Sequence, residues 1–518
     1  MRIRSLPALL AVALLAARAT AQSPALTNAD SALVGRVLLA EAQRDSANPA
    51  FADAARHADE RVRLLARRAL ARIADARFTK RDSFPPLPAP PAYTDPSWRL
   101  RYRALTAKSD CAALRDALAD SAWHVRLRAA DLLGAPCAGD TAALATLRAW
   151  VAQAPTGRDP SHATNGVSWH AGAHAIVALA KMAPAEARGV LPRFATHANP
   201  SMRGYAATAA AALADTATLR TLARDADDNV KETAIDALAK VAGHSADDVI
   251  VTALGARGYQ AVRAAARALK GSPDGAIVAR AALDAAERLR RDSSETSRDA
   301  RTAVLDRIGE FAGSGDAPRI AALAADFDCV VAKSAATIAT KLGSATAVRC
   351  TPFAMTLPDG AVALALGAER TLEVTLAKES GGGTFTVRLR GDVAPMMAAR
   401  MASLANSGWY DGRRWYRVEP DFVIQGGGPG ANEYVGHPRF LADELGTVPH
   451  VRGTVGMSTR GHDTGDSQWF VNLKDNLRLA RDYTVFGEVT AGIAIVDAIV
   501  EGDRIATIRE VKATAKRR

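Results

Sequence analysis

The chain has 518 residues, 48% apolar and 23% charged, which excludes a largely disordered polypeptide and calls for several folding units rather than one core. Four cysteines are too few for a disulfide-stapled scaffold. The net charge of +11 admits nucleic acid, an anionic membrane or acidic partners, but the arginines alternate with Asp and Glu along helical stretches, as on solvated helix faces, and no nucleic-acid motif is present; no nucleic-acid partner is expected.

The first 21 residues, MRIRSLPALLAVALLAARATA, read as an export signal. Arg2 and Arg4 form a positive start, residues 6–17 are apolar, and Ala19-Thr20-Ala21 offers small residues for cleavage after Ala21. Twelve apolar residues make about 18 Å of helix, too short for a bilayer core of about 30 Å. An uncleaved anchor or a buried first helix is the competing reading. The mature chain from Gln22 has no further apolar run of membrane-spanning length, so no membrane span is expected, and the compartment is periplasmic or extracellular. Disulfides can form there. Cys111 and Cys137 are 26 positions apart, Cys329 and Cys350 are 21 apart, and local pairing is the simplest of three connectivities; four buried thiols are the alternative.

Residues 22–350 carry a recurring helical pattern. Val62-Arg63…Ala66, Val125-Arg126…Ala129, Met202-Arg203…Ala206, Val230-Lys231…Ala234 and Val262-Arg263…Ala266 each place an apolar residue and a small one four apart, on one helix face. Asp59, Asp120, Asn199 and Asp227 precede these segments and can cap them. A spacing near 30 residues holding two helices marks an α-solenoid. The segment DADDNVKETAIDALAKVAG from Asp225 resembles HEAT repeats of the short bacterial type, and the series runs over roughly 50–345. An irregular helical domain is the alternative. The proline-rich stretch 84–95 reads as a stiff linker, and 155–167 as a loop. His170 and His174 have zinc-like i, i+4 spacing, but no Glu lies between them and no third ligand is apparent; no metal is expected. A solenoid offers a concave surface for an unidentified protein or peptide partner and carries no chemistry by itself.

After a linker at 351–366 the composition changes. Residues 367–518 hold 12 of the 27 aromatics and 20 of the 38 glycines, so this part is built differently. Strand-like runs at 371–377 and 384–390 flank Gly381-Gly382-Gly383, a hairpin signal. A helix is expected over 393–407, followed by Tyr410-Asp411-Gly412. Then come WYRVEPDFVIQGGG from Trp415, Asp443-Glu444, RGTVGMSTRGHDTGDSQWFV from Arg452 and YTVFGEV from Tyr483. The glycines at 426–428 do not sit in a strand–turn–helix unit, and Pro429 lacks an amide donor; they read as a turn, not a phosphate cradle.

In this order and spacing, the segments over about 370–512 resemble the cyclophilin family of peptidyl-prolyl isomerases. The resemblance implies a closed eight-stranded antiparallel barrel capped by two helices, so the fold class is multidomain: an all-α HEAT-like solenoid followed by a mostly-β barrel. It also implies an enzyme without cofactor or metal. Rotation about an X–Pro bond crosses a barrier of roughly 18–20 kcal/mol, and a catalyst needs only an apolar grip on the ring and a donor aimed at the twisted amide. By resemblance Arg417, Phe422 and Gln425 are the catalytic set. Phe422, Phe470 and Leu479 line the proline pocket, with Val423 on its rim. Ser458, Thr459, Arg460, Gln468 and Tyr483 fall at positions beside the substrate. Val423 replaces a common methionine, Ser458-Thr459-Arg460 replaces a frequent Ala-Asn-Ala, Tyr483 stands where many members have His, and Trp469 takes a usual Phe position. Arg478 stands where a tryptophan binds cyclosporin in sensitive members, which implies weak binding of that drug.

The function expected is that of an exported isomerase acting on proline-containing segments of unfolded extracytoplasmic proteins, with the solenoid recruiting clients or a partner. The alternative is a proline-peptide binding module without useful turnover.

Overall fold

The computed structural model describes residues 26–75, 97–157, 168–446 and 448–511. The expected signal segment 1–21, the proline-rich stretch 84–95 and most of the loop 155–167 lie outside the described residues.

Residues 97–157 and 168–341 form a stack of helical hairpins. Successive pairs include Pro184–Ala195 with Pro200–Ala212, Thr216–Leu222 with Asp228–Ala242, Asp247–Ala253 with Tyr259–Ala268, and Ala317–Leu323 with Cys329–Lys341. The small-residue pattern explains the stacking. Val125, Ala129, Met202, Ala206, Val230, Ala234, Val262 and Ala266 are all buried in one continuous core that runs the length of the array. Alanine on a shared face lets helices approach closely while losing little side-chain entropy. Several helices begin on a polar cap: Asn199 Oδ1 accepts from Ser201 N (2.9 Å) and Asp227 Oδ1 from Asn229 N (2.9 Å). Asp120 differs. It accepts from Ala122 N (2.8 Å), one residue ahead of the helix Trp123–Leu132. Disulfides join Cys111 to Cys137 and Cys329 to Cys350. No helix among the described residues is long and apolar enough to cross a membrane.

The C-terminal part is a curled sheet of eight strands, β1 (Thr371–Leu376), β2 (Thr384–Leu389), β3 (Trp415–Val418), β4 (Val423–Gly426), β5 (Thr454–Met457), β6 (Trp469–Asn472), β7 (Val485–Ala491) and β8 (Ile505–Val511). Their order is β3-β4-β6-β5-β7-β2-β1-β8, with every pairing antiparallel. The β1–β2 connection ends in Gly381, Gly382 and Gly383 at φ of +84°, +66° and +92°, a run that only glycine adopts without strain. The sheet curls until its edges meet: Trp415 N donates to Asp503 O (2.9 Å) and Ile505 N to Arg413 O (2.8 Å). The helix Pro395–Asn406 packs on β7 and β8, and the helix Ile493–Ala498 on β2.

Two features tie the parts together. The helices Asn28–Gln43, Pro49–Ala55 and Glu60–Ala74 bury Leu33, Val37, Phe51 and Leu65 in the same apolar cluster as Phe385, Trp415 and Phe486 of the barrel. The array meets the barrel through polar contacts. Asp497 accepts from Arg99 Nη2 (2.9 Å) and Arg452 Nη2 (2.6 Å), while its carbonyl faces His124 Nε2 at 3.1 Å. Farther along, Phe440 N donates to Glu295 Oε2 (2.8 Å), and Arg460 pairs with Asp299 at 2.7 Å.

Candidate active site

Strand register assembles the site. Arg417 on β3 is opposite Gln425 on β4, Gln425 is opposite Phe470 on β6, and Phe470 is opposite Gly456 on β5. Residues paired across strands share a face, so a cation, an amide and an aromatic ring form one row. A Cβ at position 456 would lie 2.4 Å from Phe470 Cζ, so only glycine leaves room for that ring.

Phe470, Val423 and Leu479 form a small apolar cluster of their own, with Phe422 and Tyr483 packed on it. The Tyr483 ring meets Phe470 edge-on at 5.7 Å. Phe422 sits on the turn ahead of β4. Its carbonyl accepts from Leu473 N (3.0 Å) and Asn476 Nδ2 (2.9 Å), which fixes the turn.

The Arg417 guanidinium stands over the Phe422 ring, 5.8 Å from its centroid. Arg478 covers the same ring at 4.5 Å. Arg417 Nη1 donates to Gln425 Oε1 (3.4 Å), and Nε donates to Glu419 Oε1 (2.7 Å). Gln425 Nε2 donates to Tyr416 Oη (2.6 Å) and Ser458 Oγ (2.9 Å), and Tyr416 Oη donates to Gln468 Oε1 (2.5 Å). Burial pushes the Tyr416 hydroxyl well above its ordinary range, which keeps it a donor. Gln468 Nε2 in turn donates to Glu433 O (2.9 Å). The chain Arg417–Gln425–Tyr416–Gln468 is therefore one hydrogen-bonded line along the rim of the apolar pocket.

The structure brings Arg417, Phe422, Val423, Gln425, Ser458, Gln468, Phe470, Leu479 and Tyr483 into this one region. Thr459 is half-buried just past β5. Arg460 turns toward the array. Its guanidinium pairs with Asp299 and donates to Thr296 O (3.4 Å) and Glu433 O. His170 and His174 lie on the array, across a cavity from the site and outside the apolar pocket: His170 Nε2 is 2.7 Å from Glu501 O, and His174 Nδ1 is 2.5 Å from Asp131 Oδ1.

Sequence reasoning missed Tyr416, Glu419, His450 and Asn476. Simple alternation puts Tyr416 on the face opposite Arg417. The pairing instead shifts register between Trp415 and Arg417, and this bulge turns both side chains to Gln425. His450 lies fully buried beneath Phe470, stacked at 5.6 Å. Asn472 Nδ2 contacts its Nδ1 (3.1 Å), and Tyr483 O is 3.1 Å from its Nε2. Burial pushes this imidazole down to about 4, so it is neutral at pH 7 and supports the pocket floor without charge.

The arrangement can hold a ring-sized apolar group against Phe470 and Phe422 while presenting guanidinium N–H groups to an adjoining carbonyl or nitrogen. It contains no activated nucleophile, and among the described residues no group of three His, Cys, Asp or Glu is placed to hold a metal ion.

Residues 372–515 match the family model described as cyclophilin type peptidyl-prolyl cis-trans isomerase/CLD. The chain is 34% identical over 130 residues to a peptidyl-prolyl cis-trans isomerase of Helicobacter pylori, covering 24% of this chain and 80% of that protein. It is 35% identical over 130 residues to peptidyl-prolyl cis-trans isomerase B of Bacillus subtilis, covering 25% and 91%. A solved cyclophilin type isomerase of Cryptosporidium parvum aligns at 19% identity and a TM-score of 0.27, over 28% of this chain and all of that one.

Proposed function

The chain belongs to the cyclophilin-type peptidyl-prolyl cis-trans isomerases and binds proline-containing peptides; from this premise we propose that it works on exported, unfolded proteins, with Arg417 as the central donor and the helical array as a HEAT-like scaffold for clients. In this reading Phe422, Val423, Phe470 and Leu479 grip the prolyl ring. As the amide twists, conjugation is lost, the carbonyl becomes more ketone-like and the nitrogen gains a basic lone pair. The guanidinium bonds these atoms more strongly in the twisted state than in either planar one, which is what lowers the barrier. Gln425 orients the guanidinium through Oε1, and its own amide is held by Tyr416 and Ser458. No bond is made or broken.

The observation that carries this role for Arg417 is its position over Phe422 at the mouth of the apolar cluster, tied to Gln425. The export reading is supported by the composition of residues 1–21 and by two disulfides, which persist in oxidising compartments. Coupled isomerisation of an X–Pro peptide by the purified chain, with Arg417→Ala beside it, tests the site. Equal rates for the two proteins would end this assignment. N-terminal sequencing of the protein recovered from the periplasm tests export, with Gln22 the expected first residue.

A further inference from the structure

The array does more than touch the barrel at its edges. A cavity of about 810 Å³ lies between them, with Tyr205, Asn229 and Glu232 of the array on one wall and Tyr416, Arg417 and Glu433 of the barrel on the other. Its size is that of a pocket for a sizeable ligand. Arg417 borders this cavity and also stands at the rim of the proline pocket, so the two spaces adjoin at its side chain.

The walls are stitched on both flanks. Asn229 Nδ2 donates to Gly430 O (3.0 Å), and Asn432 Nδ2 donates back to Asn229 Oδ1 (3.1 Å). Tyr205 Oη donates to Glu501 Oε2 (3.2 Å). The array therefore stands at a set distance from the groove.

The lining is acidic in a chain that is basic overall. Six carboxylates border the cavity against three guanidiniums. Glu232 is the telling one. It is half-buried on the helix Asp228–Ala242, and no hydrogen bond or ion pair to its carboxylate is formed among the described residues. Burial, aided by Asp236 and Glu433, pushes it up to about 7 against the pull of Arg263 and Arg267. A half-buried carboxylate facing other carboxylates is a site that an arriving cation stabilises.

We propose that the concave face of the array is the second wall of the isomerase groove and that its acidic cavity, centred on Glu232 and Glu433, selects extended proline-containing segments bearing lysine or arginine beside the proline. The inference deepens the isomerase reading and rests on it for the position of the proline. A strand-like segment suits the space because it can enter a slot walled on both sides.

The test uses the full chain and two fluorescein-labelled peptides with the same Ala-Pro centre, one flanked by lysines and one by glutamates. Affinity is read by anisotropy and turnover by the coupled assay, at low and high salt. The wild type is expected to favour the lysine peptide by about fivefold or more, the size of a partly screened charge contact, and salt should shrink the ratio. Glu232→Gln should bring the ratio toward one and Glu232→Lys should invert it, whereas Glu186→Gln, a charge change on an array helix that does not border the cavity, should keep it. Equal affinity of the wild type for both peptides, or an unchanged ratio in Glu232→Gln, overturns the proposal. If Arg417→Ala turns over peptide as fast as the wild type while the charge preference persists in binding, the assignment of Arg417 fails and the acidic wall stands.

Discussion

A single oxygen of Glu419 accepts from both Nε and Nη2 of Arg417, at 2.7 and 2.5 Å. This contact uses one edge of the guanidinium fork and points the other toward the pocket. It also places a negative charge beside the positive one that the twisted amide needs. Glu419→Gln keeps the acceptor oxygen and removes the charge. We expect kcat to rise roughly threefold, the effect of an exposed charge worth less than about 1 kcal/mol. Glu419→Ala, which loses the acceptor too, should lower kcat. Arg417→Ala should lower kcat/KM by about 10²-fold or more. Stopped-flow coupled assays at two ionic strengths measure all three, and a fall in kcat for Glu419→Gln would show that orientation outweighs charge.

The Phe422 side chain is half-buried and sits beneath two guanidiniums. Phe422→Ala removes apolar contact worth about 1.5–3 kcal/mol if the ring is fully covered by substrate. The expected loss is roughly tenfold to a hundredfold in kcat/KM, carried mainly by KM. Circular dichroism should show a folded protein, since this ring lies at the pocket mouth.

His450 gives the pocket a pH dependence with a definite sign. Its imidazole titrates near 6.5 in the unfolded chain and near 4 when folded. Between these values the unfolded state binds the extra proton, so this contribution is present above about pH 6.5 and is lost as pH falls toward 4. The loss amounts to about 3 kcal/mol at most. Urea unfolding of the wild type and His450→Gln at several pH values isolates the effect, because other titrating groups cancel in the difference. The wild-type curve should fall relative to the variant below about pH 6.5.

Asp497 joins the array to the barrel through Arg99, which is fully buried, and Arg452. Asp497→Ala leaves two cations without this partner. Breaking a buried pair in this way costs about 3–5 kcal/mol. Calorimetry should show a lower and broader transition, with the barrel and array beginning to separate. A transition unchanged within about 1 °C would mean that the junction contributes little.

All four cysteines lie before residue 351 and are paired. Each bridge closes a loop of 26 or 21 positions, for which loss of unfolded-state entropy gives about 3 kcal/mol. Dithiothreitol should lower the melting temperature of the array. Turnover of a short X–Pro peptide at 25 °C should survive, because the barrel carries no cysteine.

The sequence made the barrel legible because its signals are local. Gly381-Gly382-Gly383 occupies positions that need positive φ, and Trp415 to Gln425 forms a hairpin whose pairing places Arg417 beside Gln425. The helical part was legible through the apolar-to-Ala spacing: the copies from Val125 onward return as the buried stripe of the array, whereas Val62 and Ala66 are buried in the cluster shared with the barrel. What stayed hidden depends on exceptions and on distance. Tyr416 joins the site through a one-residue bulge that no period-two pattern foretells. His450 reaches the pocket floor by tertiary packing. Arg460 occupies a position beside the groove, yet its charge is met by Asp299, more than 150 positions earlier. Glu232 faces the groove only because the array folds across it, and nothing in its helix marks it out.

The helices between Asn28 and Ala74 share their apolar cluster with strands of which the first begins at Thr371. Leu33 and Leu65 are buried where these three helices pack on one another, but the outer face of the unit, Leu38 included, meets Ala361–Ala365 and the helix at Met396 and is closed only by the last third of the polypeptide. Contacts of such long sequence separation make folding slow. A polypeptide stopped at residue 350 would leave that outer face uncovered, and it should be sticky where the complete molecule is not.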